Sequence, residues 1–346
     1  EKQVSVTPFH DIIMREYLSF KSESRYDMMM LAQIRLAPNR YHALLRTNLK
    51  MEEMIMAHVL ENEFLTVEIN DHGAELCRIY DKERDQEDLW YADPAFWARH
   101  APVLFPNVGK NYNGYFTYNG VQYPTKQHGF ARDSEFQVVD QSEHSITHEF
   151  VSSGETLKKY PFSFVFRVTH VLEGRDLKIC WYVKNTSDTA MYYTIGGHPA
   201  FRVPVLPGTK QSDYFLAFKT EDPTYLLLDT KSGTAINDTF YTLKTVDGKA
   251  PIVDGMFETD ALVFDHQIEW AAITYPDGTP FVSVTCPGFP NFGIWAAKGG
   301  APFVCLEPWD GRCDNVGFAG EISEKEGIVK LEPNGEYHKS YTITIH

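Results

Sequence analysis

The run "FSFVFRVTHVLEGRDLKICWYVKN", residues 162–185, constrains the fold more than any other stretch. It joins two long runs of aromatic and β-branched residues around Gly174. Such side chains fit a pleated, half-buried surface, so the pattern predicts two strands with a turn at the glycine. The theme repeats along the chain. "FLTVEIN" alternates and stops at "DHG", and "YFTYNGVQYPT" (115–125) is a hairpin signal, because Asn-Gly suits the positive φ angles of a type I′ turn. "WAAITYPDGTPFVSVTCP" (270–287) turns at Pro276-Asp277-Gly278, and "HKSYTITIH" closes the chain as a strand. Helical periodicity is scarce after residue 57, with short exceptions such as "DPAFWARHAP" (93–102). Many strands separated by Gly, Pro, Asn and Asp turns predict an all-β protein, a large antiparallel sandwich or barrel. Hydrophobic residues at 43% and aromatics at 14% supply its core. Without repeats or a linker, residues 57–346 read as a single domain.

The first fifty residues differ. They carry 8 Lys/Arg against 5 Asp/Glu, a net of +3, whereas the whole chain is at −15, which leaves −18 for the rest. Seven of nine methionines lie at or before Met56. Residues 1–50 therefore read as an N-terminal appendage or leader, in which 27–36 could form a short helix. The acidic balance of the whole argues against nucleic acid or an anionic membrane as partner. No apolar run approaches the ~18 residues of a membrane helix. Five cysteines, odd in number and without C-x-x-C spacing, predict neither a disulfide framework nor a zinc knuckle, and favour a reducing, cytoplasmic setting.

Polar residues in apolar strands point to chemistry. In "PFVCLEPW" (302–309), Phe303, Cys305 and Glu307 share one strand face and Val304 and Leu306 the other. Glu307 is either a partnered carboxylate at a strand end or a buried one with a raised pKa, suited to proton transfer. In "YYTIGGHPAF" (192–201), Tyr192, Thr194, Gly196 and His198 share a face. The bare Gly196 offers room for a ligand beside His198, and Pro199 fixes the exit; the alternative is a histidine hydrogen-bonded at a bulge. His128 sits in a loop before Gly129, with Arg132 four residues on. "RHAPVLFPNVGKNYNG" (99–114) offers Arg99, His100, Asn107 and Lys110, and "ETDALVFDHQ" (258–267) offers Asp260 and Asp265 on opposite faces.

Taken in order, "KQHGFARDSEF", "YPFSFVFRVTHVL", "VKNTSDTAMYYTIGGHPAF", "TDALVF" and "CLEPWDGRCD" resemble the motif series of the aldose 1-epimerase, or galactose mutarotase-like, superfamily. The branch it resembles is that of the X protein of bacterial lactose operons, over residues 57–346. The resemblance implies a large antiparallel β-sandwich of the galactose mutarotase-like supersandwich type, with a sugar site on a concave sheet face. It implies that His198 protonates the ring oxygen, that Glu307 takes the proton of the anomeric hydroxyl, and that His128 steadies the ring oxygen. It also implies that Asp260, rather than Asp265, binds sugar hydroxyls. Lys110 departs from the pattern, which has arginine there. Lys110, Arg132, Asn107 and Trp309 complete the expected substrate contacts, with Phe130 and Phe201 as further aromatic platforms. No cofactor and no metal are expected.

The resulting expectation is exchange of the α and β anomers of an aldohexose by general acid/base catalysis. Four alternatives stand beside it. A hexose-6-phosphate epimerase would use Arg99, Lys110, Arg132 and Arg312 for the dianion. A non-catalytic carbohydrate-binding protein can occupy the same fold. A metal enzyme would use His128, His198 and Glu307. A glycosidase would pair Glu307 with Asp260.

Overall fold

The computed structural model describes residues 57–346, and nearly all of its elements are strands. The expectations for residues 1–50, including the short helix at 27–36, lie outside the described residues. The opening hairpin forms. Phe164–Glu173 pairs antiparallel with Asp176–Asn185 over ten residues each, closing at Glu173↔Asp176 with Gly174 at φ +57° in the turn. Phe164, Phe166 and Val168 point inward, while Val165, Arg167 and Thr169 point outward. This pair lies within a nine-stranded antiparallel sheet bounded by Lys249–Pro251 and Gln137–Gln141.

A six-stranded sheet carries the residues of interest. Its order is Leu262–Asp265, Asn291–Trp295, Phe303–Asp310, Ile195–Gly197 and Val103–Leu104, and Ala200–Arg202 also pairs with Phe303–Asp310. Phe164, Phe166, Trp181 and Ile343 from the nine-stranded sheet share one core cluster with Ile195, Phe292, Val304 and Leu306 from the six-stranded one. The two sheets therefore pack face to face as an antiparallel sandwich. Each fully buried Phe or Leu there contributes roughly 1.5–3 kcal/mol over exposure. A four-stranded sheet (His58–Glu61, Leu65–Ile69, Leu76–Asp81, Gln86–Glu87) joins the same core through Leu60, Leu65, Val67 and Ile69.

The Asn-Gly turn also forms: Asn119 at φ +50° and Gly120 at +75° join Tyr115–Tyr118 to Val121–Pro124. The segment 93–102 is not helical. Asp93 folds it into a turn instead, its carbonyl accepting from the N–H groups of Phe96 and Trp97 and its carboxylate from Ala95. A short side chain that bonds its own backbone competes with the helix ladder. Among the described residues no helix is long and apolar enough to cross a membrane.

Candidate active site

The inner face of the six-stranded sheet packs on the core, so its outer face decides what the protein can hold. Phe303, Cys305, Glu307 and Trp309 alternate with the core residues Val304 and Leu306, which places all four on that face. The neighbouring strand Ile195–Gly197 delivers His198 at its end. His198 Nε2 then lies 3.3 Å from Glu307 Oε2, with His198 5% exposed and Glu307 1% exposed. Glu307 Oε2 and His198 Nδ1 are both buried without a hydrogen-bond partner. Aromatic rings wall the pair. Trp97 stacks on the imidazole at 4.8 Å between centroids, and Trp295 meets its edge at 5.6 Å.

Burial in this apolar setting moves both groups toward their neutral forms. It pushes the Glu307 carboxyl well above its usual range, and the charge of Asp260 adds to the effect. It pulls His198 down to about 3, with the charges of Arg132 and Arg99 acting in the same direction. The Trp309 indole N–H lies on the Glu307 side and opposes the rise, although no well-formed hydrogen bond joins them. Both shifts favour the uncharged carboxyl beside the uncharged imidazole.

His128 approaches from the loop before Ala131. Its ring meets that of His198 edge-on at 5.4 Å. The Gly109 N–H donates to His128 Nδ1 at 3.0 Å, so the neutral ring carries its hydrogen on Nε2, which lies 3.3 Å from the Gln127 side-chain amide. Burial and the charges of His198, Arg132, Arg99 and Lys110 hold the His128 pKa well below the usual histidine value. The loop needs Gly129 at φ +70°, where a Cβ would lie 2.2 Å from the Phe105 carbonyl oxygen.

The glycines before His198 do not open a ligand space. A Cβ at Gly196 would lie 2.5 Å from Trp309 Cδ1, and one at Gly197 would lie 2.5 Å from the Tyr341 hydroxyl. Gly196 makes room for the Trp309 indole on the outer face, and Gly197 makes room for Tyr341 in the core. Gly293, opposite Glu307 in the next strand, completes the slot, since a Cβ there would lie 2.3 Å from Trp309 Cζ2. Trp309 is therefore a packed floor beside Glu307, 5% exposed.

The other expected residues separate into near and engaged groups. Asp260 is half-buried at φ +110°, its carboxylate accepting from the Ala261 N–H, and its charge reaches Glu307. Asp265 instead accepts from Asn291 at 2.6 Å and pairs with Arg312 at 3.3 Å. Arg312 is also bound to Asn315 and Glu326, so it has no free face for a ligand. Asn107 donates both amide hydrogens to carbonyl oxygens, of Gly109 and Lys126, and so braces the loop that holds His128. Arg132 donates to the Gln127 carbonyl while its Nε has no partner, and Arg99 is paired with Asp133. Lys110 lies exposed in an open cleft of about 480 Å³ that Lys126, Lys231 and Ser232 also line. His100 sits beside Glu75 at 3.8 Å. Phe130 and Phe201 pack against or within the core rather than offering a platform.

Cys305 was not singled out by its strand position, yet its thiol lies within 4.8 Å of the ligand atoms of His198 and Glu307. Burial and the Glu307 charge push that thiol well up, so a cation held by these three would displace protons from both the thiol and the carboxyl. Trp97 and Trp295 were missed as well. Trp97 lies in a segment without strand pattern, and no local signal marks it.

An outer sheet face carrying a buried imidazole and carboxyl side by side is a feature to compare with known proteins. The family model for aldose 1-epimerase matches residues 56–341. The chain belongs to the aldose 1-epimerase family. The plasmid-borne protein LacX of Lactococcus lactis subsp. lactis is 31% identical over 302 residues, covering 83% of this chain and 98% of that protein. A galactose mutarotase related enzyme from Lactobacillus acidophilus superposes with a TM-score of 0.79 at 33% identity, covering 84% of this chain and 97% of its own. A galactose mutarotase-like protein from Lactobacillus casei gives 0.78 at 27% identity, covering 84% and 100%.

Proposed function

We propose that this member of the family interconverts the α and β anomers of an aldohexose, with residues 57–346 as a single catalytic domain and 1–50 as an appendage to it. The observation that carries the proposal is the 3.3 Å contact between His198 Nε2 and Glu307 Oε2. In a cyclic sugar the two oxygens that exchange protons, O1 and O5, are bonded to the same carbon. The acid and base that serve them must therefore be neighbours. A glycosidase instead sets two carboxylates roughly 5–9.5 Å apart across the bond. The group beside Glu307 is an imidazole.

The chemistry closes without a cofactor. Glu307 as carboxylate takes the O1 proton while His198 as imidazolium protonates O5. The C1–O5 bond breaks and C1=O1 forms. Glu307 is then protonated and His198 neutral, which is the proton arrangement that burial favours. Rotation about C1–C2 presents the other carbonyl face. Closure returns both protons, and the pair ends as it began. His128, kept neutral with its hydrogen on Nε2, is a donor for the ring oxygen. Asp260 is the candidate acceptor for sugar hydroxyls.

A second reading is favoured by the cleft of Lys110, Lys126 and Lys231 beside the His128 loop. In a chain of net charge −15, three lysines around one opening suit an anionic, phosphorylated aldose.

The test is NMR exchange spectroscopy of glucose, galactose and glucose 6-phosphate with wild type, Glu307→Gln and His198→Asn. Loss of a general acid or base is expected to cost on the order of a hundredfold to ten-thousandfold in rate. Wild-type catalysis of none of these sugars, with binding retained in Glu307→Gln, would replace the enzyme by a carbohydrate-binding protein.

A further inference from the structure

A second cluster of imidazole and carboxylate lies at the junction of the four-stranded and nine-stranded sheets. His58 opens the strand His58–Glu61, Asp71 follows the strand Leu65–Ile69, and His148 sits within Ser145–Val151. Both rings converge on one oxygen. His58 Nε2 lies 2.9 Å from Asp71 Oδ1, and His148 Nε2 lies 3.2 Å from the same atom. The two rings meet edge to face at 5.5 Å, and the ligand atoms of all three residues lie within 4.8 Å of one another. The cluster has a dry wall and an open side: the His148 side chain is 0% exposed, those of His58 and Asp71 27% and 43%.

The dry wall carries a polar cost, which ligation through Nε2 would leave in place. His148 Nδ1 is buried without a partner, and so is Nδ1 of His170, whose ring lies behind it at 6.5 Å. His148 stands on the core face of its strand, where an apolar side chain would avoid that cost. Acid/base chemistry at His198 and Glu307 makes no use of it.

We propose that His58, Asp71 and His148 form a binding site for a divalent transition metal of the zinc class, separate from the proposed sugar site. Two imidazoles and one carboxylate are a ligand set that Zn²⁺ accepts. Ligands at ~2.0–2.2 Å around a tetrahedral ion stand on the order of 3.3 Å from one another. The 2.9 and 3.2 Å contacts are already close to that, so only small shifts are needed to admit the ion. Each neutral ring then carries its hydrogen on Nδ1 and offers Nε2 to the metal. The open side leaves the remaining position to water. Asp71 and His148 are 77 residues apart, so the ion would tie together segments distant in the chain.

The experiment strips the full chain with chelator, dialyses it against Zn²⁺ and counts bound zinc by elemental analysis, with the melting temperature measured in parallel. The expected result is one zinc held by this cluster and a rise in melting temperature on the order of 5 °C at a hundredfold excess over Kd. His58→Gln and Asp71→Asn, both at partly exposed positions, are expected to abolish both effects without unfolding the chain. His148→Asn is the riskier variant, since its site is fully buried, and the other two decide the matter without it. The proposal is overturned if the chain retains no zinc, or if both partly exposed variants retain it undiminished. It is also overturned if Cys305→Ser removes the zinc instead, because the metal then sits beside Glu307. None of these readouts depends on the sugar chemistry, so the proposed anomer exchange and the metal site can fail separately.

Discussion

The strands Phe164–Glu173 and Phe303–Asp310 are built from similar residues and are buried differently. In the first, burial alternates, and Arg167 and Thr169 meet solvent or the rim. In the second, seven of eight residues are buried, including Glu307. The first strand has one wet face and stabilises the fold by the ordinary division of apolar and polar. The second is covered on both faces, by the core on one side and by Trp97 and Trp295 on the other. A carboxyl in that setting is costly to ionise, which is the property the proposed proton transfer would use. The contrast separates residues that hold the sandwich from residues that use it.

The largest effect tests the structural side. Phe166 is fully buried and stacks on Phe105 at 4.8 Å, so Phe166→Ala should lose about 3–5 kcal/mol in a denaturant titration. The anomer-exchange rate per folded molecule should stay at the wild-type value. A rate loss at full folding would merge the two regions the comparison separates.

The next effect tests the site's floor. Gly293→Ala places a Cβ 2.3 Å from Trp309 Cζ2, so overpacking should cost roughly 1–3 kcal/mol, and the displaced indole should slow anomer exchange. Normal stability and rate together would mean that the slot is soft.

A smaller effect follows from the buried carboxyl. Its folded pKa is raised, so above pH 4.5 the folded chain keeps a proton that the unfolded chain releases. Stability contributed by this group therefore falls as pH rises toward the folded pKa. Glu307→Gln removes that slope. The stability of the variant relative to wild type should therefore rise from pH 4 to pH 8. The slope from His198, lowered to about 3, runs the other way between that value and pH 6.5. An unchanged difference between pH 4 and pH 8 would show the carboxyl to be solvated.

The smallest effect is the control. Arg167 pairs with Glu149 at 2.6 Å on the wet face, with its side chain 45% exposed. Arg167→Ala should shift stability by less than about 1 kcal/mol and leave the rate alone.

The sequence disclosed the hairpins because their information is local. Period-two burial around Gly174 and the φ demands of Asn119-Gly120 are written in adjacent residues. It also located Glu307 as a carboxylate among apolar neighbours. The order of the sheets was not legible, since pairing Ile195–Gly197 with both Val103–Leu104 and Phe303–Asp310 joins segments far apart in the chain. The role of Gly196 was misread for the same reason. An empty position beside a histidine suggests a cavity, but Trp309 arrives from a distant strand and fills it. Trp97 escaped notice because a turn residue acquires its meaning only when His198 is placed against it.

The slot around Trp309 also bears on how such a chain can change over generations. Gly196 and Gly293 sit on different strands and are both fixed by one indole. A side chain gained at either glycine first meets that ring, so single steps there are blocked while the tryptophan stands. Loss of the tryptophan removes the closest contact at both positions, while Leu104 Cδ1 and Val108 Cγ2 stay 3.2 Å from a Cβ at Gly196. The three sites are therefore coupled sterically, since a change at Trp309 relieves the closest contact at both glycines.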